Sequence, residues 1–133
     1  MAADETVAAV LLAEIHLPPA AGWRAVYKKL RRRGAFDFPV LGVAVRLDAD
    51  EGGTVTGARV VLGGVSPAPL EVEAAAAALA GATLTDETMS AAAEACYLRA
   101  RPLDNTDHLM NYRKQMARPF VLRALRELAD GGS

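Results

Sequence analysis

Apolar and polar residues alternate with a period of two through the first half of the chain and recur every three to four residues through the second. Ala13, Ile15 and Leu17 alternate with Glu14 and His16, so Val10 to Leu17 is expected to form a strand with one buried face, ended by Pro18 and Pro19. Trp23 to Leu30 is expected as a second extended segment, with a short helix as the alternative. Arg31, Arg32, Arg33 and Gly34 open a basic, flexible connection that closes with Phe36, Asp37, Phe38 and Pro39. Val43, Val45 and Leu47 then alternate with Ala44 and Arg46. After a turn at Asp50-Glu51-Gly52-Gly53, Ala58, Val60 and Leu62 share one face, and the two runs predict a hairpin. Glycine packs nothing and proline donates no ladder hydrogen bond, so Gly63, Gly64, Pro67 and Pro69 are expected to take the chain out of the sheet.

Beyond that point the period is helical. A short helix is expected from Glu73 to Leu79, containing the run Ala74 to Ala78 and stopped by Gly81. Thr85 is placed to cap a second helix reaching Arg99, with Asp86 and Glu87 at the positive end of its dipole and Met89, Ala92, Ala93, Cys96 and Ala100 facing inward. Asp107 would cap a third, with the apolar stripe Leu109, Tyr112, Met116, Phe120, Ala124 and Leu128, and Pro119 predicts a kink or short break within it. Strands first and helices afterwards predict an α+β fold: an antiparallel sheet of three to four strands with three helices packed on one face. A single domain over residues 1–133 is expected, with strands in about 10–65 and helices in about 72–129.

Composition narrows the functions this body can serve. Hydrophobic residues make up 52% and charged residues 23%, enough for a buried core, but aromatics are only 5% and alanine supplies most of the apolar excess, which disfavours a deep ligand cavity. Fifteen basic and 16 acidic groups leave a formal charge of −1, so no global field would attract nucleic acid or an anionic membrane. Asp4 and Glu5 stand where a signal peptide needs positive charge, and no apolar run has the length of a membrane span. Cys96 is the single cysteine, which excludes an intrachain disulfide and suits a reducing cytoplasm.

Candidate chemistry is sparse. A nucleophilic triad would have to use His16 or His108, which read as surface or capping residues, so no catalytic residue is expected. The acidic turns at Asp48, Asp50, Glu51 and at Asp104, Asp107 lack further ligands at a metal-binding spacing, and no metal site is expected. Gly63 and Gly64 lack the third glycine or lysine of a phosphate-binding loop, and Cys96 on an apolar stripe reads as a packing residue. The densest cationic feature is Arg24, Lys28, Lys29, Arg31, Arg32 and Arg33. Alone it reads as a solvated connection; beside Phe36, Asp37 and Phe38 it also reads as a place to meet a planar ring and a phosphate.

Several linked motifs carry a resemblance. Leu12-Ala13-Glu14-Ile15-His16-Leu17-Pro18, then Tyr27-Lys28-Lys29-Leu30-Arg31-Arg32-Arg33, then Phe36-Asp37-Phe38-Pro39-Val40-Leu41-Gly42-Val43-Ala44-Val45 resemble, in order and spacing, the C-terminal domain of the FAD-binding (medium) subunit of molybdenum hydroxylases, the carbon monoxide dehydrogenase flavoprotein and xanthine dehydrogenase family. Ala58 to Pro67 and Tyr112-Arg113-Lys114-Gln115-Met116 are similar to the same family's second strand and final helix, so the resemblance spans about Leu11 to Leu128. Asp104-Asn105-Thr106 ahead of Tyr112-Arg113 is most similar to the flavin subunit of 4-hydroxybenzoyl-CoA reductase.

The resemblance implies an accessory role in an oxidoreductase. FAD would be held by a separate FAD-binding domain, to which no segment of this sequence corresponds, and no FAD is expected on this chain alone. Molybdopterin and iron–sulfur clusters would belong to a molybdopterin subunit and an iron–sulfur subunit as partners. The chain would not be an enzyme by itself but would pack on the FAD domain and contribute a flavin-facing loop to electron transfer. By the same resemblance Lys28 or Lys29 would contact a phosphate or the ring, and Asp37 would be a polar neighbour of the isoalloxazine. The alternative is a stand-alone interaction module without redox activity that self-associates or binds a protein through its helical layer or sheet edge.

Overall fold

The structure is a computed structural model that describes residues 11–17, 19, 22–34, 37–103 and 110–131. Four antiparallel strands, β1 (Trp23–Leu30), β2 (Leu41–Ala49), β3 (Val55–Gly63) and β4 (Leu70–Glu71), pair in chain order. Three helices follow, α1 (Glu73–Leu79), α2 (Asp86–Arg99) and α3 (Met110–Ala129). The α+β class expected from the residue pattern is the one found. α3 lies against β1 and β2, α1 against β3, and α2 rests mainly on the other two helices.

Alternation explains the central hairpin. Leu41, Val43, Val45 and Leu47 of β2 and Val60 and Leu62 of β3 all point into one core, where each aliphatic side chain contributes about 1.5–3 kcal/mol by leaving water. Their register pairs Val45 with Val60 and Val43 with Leu62. The turn is fixed by Asp50, whose Oδ1 accepts the Thr54 N–H at 2.8 Å, and by Gly53, whose φ of +81° suits a residue without Cβ. Small residues let the helices come close: Ala92, Ala93 and Cys96 of α2 and Ala117 and Ala124 of α3 are buried at or near zero exposure.

Four details depart from the sequence expectations. Residues 11–17 belong to no strand and are all exposed; their alternation is real, but no partner strand stands beside them among the described residues. The chain leaves the sheet after Gly63, as expected, but then rejoins it, with Leu70 and Glu71 pairing with Leu62 and Val61. A bidentate contact from Arg59 to Glu71, at 2.8 and 2.7 Å, clamps that short strand beyond the prolines. Of the kink or short break expected at Pro119, the break is absent: one helix of 20 residues runs through it, with Ala117 and Val121 buried on either side. Its buried stripe is Arg113, Ala117, Val121, Ala124, Leu125 and Leu128, so Tyr112, Met116 and Phe120 lie on its flank. Asp107, expected to cap this helix, lies outside the described residues, as do Leu109 and Phe36.

Candidate functional site

The end of β1 and the connection after it hold all three sequence-predicted site residues. The Val40 N–H donates to the Leu30 carbonyl at 2.8 Å and closes residues 31–39 into a loop across the β1–β2 hairpin. Asp37 organises the inside of that loop. Its Oδ2 accepts the Arg33 N–H at 3.1 Å and its Oδ1 accepts the Phe38 N–H at 3.0 Å. Partial burial pushes the Asp37 carboxyl up, but the N–H groups of Arg33, Phe38 and Arg32 and the Arg33 charge outweigh it and hold the group below its ordinary range. The carboxylate is only 17% exposed, while the Phe38 ring beside it is 90% exposed.

Lys28 and Lys29 are separated by strand alternation. Lys28 turns toward the helical layer, where its ammonium pairs with the Glu127 carboxylate of α3. Lys29 follows on the alternate side, in register with Gly42, and is exposed. Both border a shallow groove between β1 and the C-terminal half of α3, completed by Phe120, Arg123, Arg126, Glu127 and Asp130. The three predicted residues therefore do not converge on one point. Lys29 and the Asp37 loop offer groups to a neighbour, whereas Lys28 is taken up by an internal ion pair.

On the side away from the helices the sheet carries a mixed, shallow face. Tyr27 lies across Gly42 so closely that a Cβ there would stand 2.8 Å from its hydroxyl, and Gly42 pairs with Gly63 on the next strand. Arg46 stacks over Trp23 at 5.2 Å and donates to Asp48 at 3.1 Å. The bidentate Arg59–Glu71 contact continues this line; the hydrogen bond from Arg59 is the main reason the Glu71 carboxyl sits below its ordinary range.

Arg113 was missed as a functional position because arginine reads as surface. It is 4% exposed and donates to the carbonyls of Val40 at 3.2 Å, Leu103 at 2.9 Å and Gly64. Those carbonyls belong to the far end of the 31–40 loop, the connection into α3 and the exit from β3, so one planar cation with a fan of donors ties three segments together. Its spacing with Ala117, Val121, Ala124 and Leu128 was the available signal. Cys96 is fully buried, and desolvation pushes its thiol up to about 12, which keeps it protonated and unreactive. His16 is exposed beside Glu14, His108 lies outside the described residues, and among the described residues no group of three or more His, Cys, Asp or Glu is placed to hold a metal.

A four-stranded antiparallel sheet with one face open, three helices on the other and a loop organised by its own carboxylate define an α+β domain whose distinctive features are exposed surfaces and a structured basic loop. The chain belongs to the CO dehydrogenase flavoprotein C-terminal domain family, which it matches over residues 25–128. This is the family that the motifs around Tyr27 to Val45 resemble. It is 33% identical over 118 residues to the carbon monoxide dehydrogenase medium chain of Hydrogenophaga pseudoflava, covering 86% of this chain and 40% of the relative. With the aldehyde oxidoreductase FAD-binding subunit of Escherichia coli it is 37% identical over 84 residues, which is 62% of this chain and 25% of that subunit.

Solved structures agree. A chain of the Hydrogenophaga pseudoflava carbon monoxide dehydrogenase superposes with a TM-score of 0.74 at 38% identity, covering 80% of this chain and 37% of that one. The reconstituted CO dehydrogenase of Oligotropha carboxidovorans gives 0.76 at 27% identity, over 84% of this chain and 38% of that one. Quinoline 2-oxidoreductase of Pseudomonas putida gives 0.74 at 25% identity, over 85% and 38%. This chain thus spans between a quarter and two fifths of the length of the relatives it matches.

Proposed function

We propose that this chain is the part of a molybdenum-containing flavoprotein oxidoreductase that packs on an FAD-carrying body and presents the end of β1 and the 31–40 loop to the flavin. The observation that carries this reading is the family match over residues 25–128, supported by superposition on under two fifths of chains from such enzymes. In this reading most of the cofactor's contacts come from the remainder of the subunit. The residues present fit that division of labour. Lys29 offers an exposed cation and Phe38 an exposed ring, and Asp37 holds the loop between them in place through backbone N–H groups.

When bound, FAD would take up electrons and hand them on. The chain's own residues would orient the ring, exclude water from one side of it and hold positive charge near it. Lys28 supports this indirectly by fixing β1 to α3. The same reading places molybdopterin and iron–sulfur clusters in partner subunits and the assembly in the cytoplasm, which the single buried thiol of Cys96 supports. The near-neutral charge speaks against a nucleic-acid partner, and no described helix is long and apolar enough to cross a membrane.

The test uses the Escherichia coli FAD-binding subunit with the quarter that this chain matches removed, loaded with FAD. FAD mixed with this chain alone should be removed by gel filtration, whereas the chain should bind the FAD-loaded body one to one and alter its flavin fluorescence. Stoichiometric FAD retained by the chain alone, or no interaction with the loaded body, would defeat the reading.

A further inference from the structure

The foot of the 31–40 loop is held at Val40 from three sides. The Val40 N–H donates to the Leu30 carbonyl at 2.8 Å, and its carbonyl accepts from Arg113 Nε at 3.2 Å. On the third side stands Gly64, with φ of +77°, so close that a Cβ there would lie 3.2 Å from the carbonyl oxygens of both Pro39 and Val40. The same guanidinium grips that neighbour too, since it donates to the Gly64 carbonyl and, at 2.9 Å, to the Leu103 carbonyl. The seat does not give. Arg101 N–H donates to the Val65 carbonyl at 2.9 Å, and Val40, Val65, Ala100 and Arg113 are all buried, so the junction cannot shift without moving the core.

Asp37 shapes the same loop from within, but the N–H groups it accepts, those of Arg33 and Phe38, belong to the loop itself. That carboxylate sets the form of the loop and not its place. A loop closed by one hydrogen bond at its base can still swing about the base, and Arg113 and Gly64 oppose the swing. We propose that Arg113, seated against Gly64, is a positioning residue for the flavin: it fixes the tilt of the 31–40 loop and so the stance of Asp37 and the exposed Phe38 ring toward the cofactor. This rests on the reading given under Proposed function. A guanidinium suits the task because its donors diverge in a fixed planar fork, whereas an ammonium is a point charge on a flexible stem.

Two substitutions move the foot of the loop and leave its exposed end chemically unchanged. Arg113→Lys keeps the charge but not the fork. Gly64→Ala keeps the fork but sets a methyl against the Pro39 and Val40 carbonyls, which must give by a few tenths of an ångström. The experiment titrates the FAD-loaded Escherichia coli body described above with the wild-type chain and each variant, and reads flavin fluorescence at saturation, where affinity no longer matters. Exchange of the β2 and β3 amides checks that each variant is folded. The saturated fluorescence change should fall by at least about half in both variants, a loss of orientation that a purely structural role would not produce. The 31–40 amides should exchange roughly tenfold faster, with the β2–β3 amides unchanged. A full wild-type fluorescence change in either folded variant overturns the positioning role, even if its loop amides exchange faster, and leaves the accessory reading standing. If Arg113→Lys does not fold, Gly64→Ala decides alone. Binding of the wild-type chain with no flavin signal places the loop away from the cofactor and also overturns the inference. Absence of binding by the wild-type chain removes the accessory reading itself, and the inference with it.

Discussion

Two charged side chains do most to set the shape of the candidate loop, and only one was visible in advance. The family resemblance implies Asp37 as a polar neighbour of the flavin ring; in the structure its carboxylate is first of all the acceptor that folds the loop. A carboxyl held below its ordinary range stabilises fully above the unfolded value and loses that contribution as pH falls through the folded one. The Arg33 and Phe38 amide resonances should therefore hold their neutral-pH positions as pH drops past the ordinary aspartate value of 3.8 and move only below it. A transition at or above that value would show that the N–H contacts do not dominate. Arg113 was hidden because its chemistry and its spacing disagree: charge says surface, while its register with Ala117 and Val121 says core. Methionine at this position would fill similar space but leave the carbonyls of Val40, Leu103 and Gly64 without their donor. Arg113→Met is expected to destabilise the chain by about 3 kcal/mol or more in urea unfolding, with the 31–40 loop and the 64–69 connection losing exchange protection first.

Elements were legible where one segment supplies the whole signal. β2 alternates from Val43 to Leu47 and is joined to β3 by a glycine turn, and α2 carries its own start and stop, so the hairpin and this helix were read correctly from local pattern alone. What local pattern cannot supply is a partner. Residues 13–17 alternate but have no neighbouring strand among the described residues, and β4, two residues long between prolines and a helix, exists only because β3 accepts it. In α3 the expected stripe holds at Ala124 and Leu128, but in the first half the buried line runs one residue later, through Arg113, Ala117 and Val121, where small alanines allow close packing. The α2 cap was half seen. Thr85 Oγ1 accepts the Thr88 N–H at 3.2 Å, Thr88 Oγ1 accepts the Thr85 N–H at 3.0 Å, and the Thr88 hydroxyl also donates to the Thr83 carbonyl at 2.9 Å. Thr85→Ala and Thr88→Ala should each lower stability by about 1 kcal/mol. Because the two contacts form one reciprocal box, the double variant should lose clearly less than the sum; strict additivity in a double-mutant cycle would mean the hydroxyls act independently.

At the scale of the whole molecule, the family was legible from linked motifs, whereas the roles of individual basic residues were not, because adjacent strand positions face opposite ways and a sequence motif names both. Lys28 closes the domain on itself through Glu127, and Lys29 faces outward. If the end of β1 stands near the flavin, only the outward cation can act on it. Reduction adds negative charge to the ring, and a nearby ammonium favours that charge, so removing the ammonium should make reduction harder. In the complex with the FAD-loaded body, Lys29→Met is expected to shift the flavin potential to more negative values by about 30 mV, which corresponds to a tenfold change in the two-electron equilibrium. Lys28→Met should leave the potential unchanged and instead loosen β1 from α3, seen as faster exchange of the β1 amides. The two readouts are independent, so they separate a cofactor contact from a structural one. A potential shift on Lys28→Met with none on Lys29→Met would reverse the assignment, and no shift on either would place this end of the strand away from the flavin.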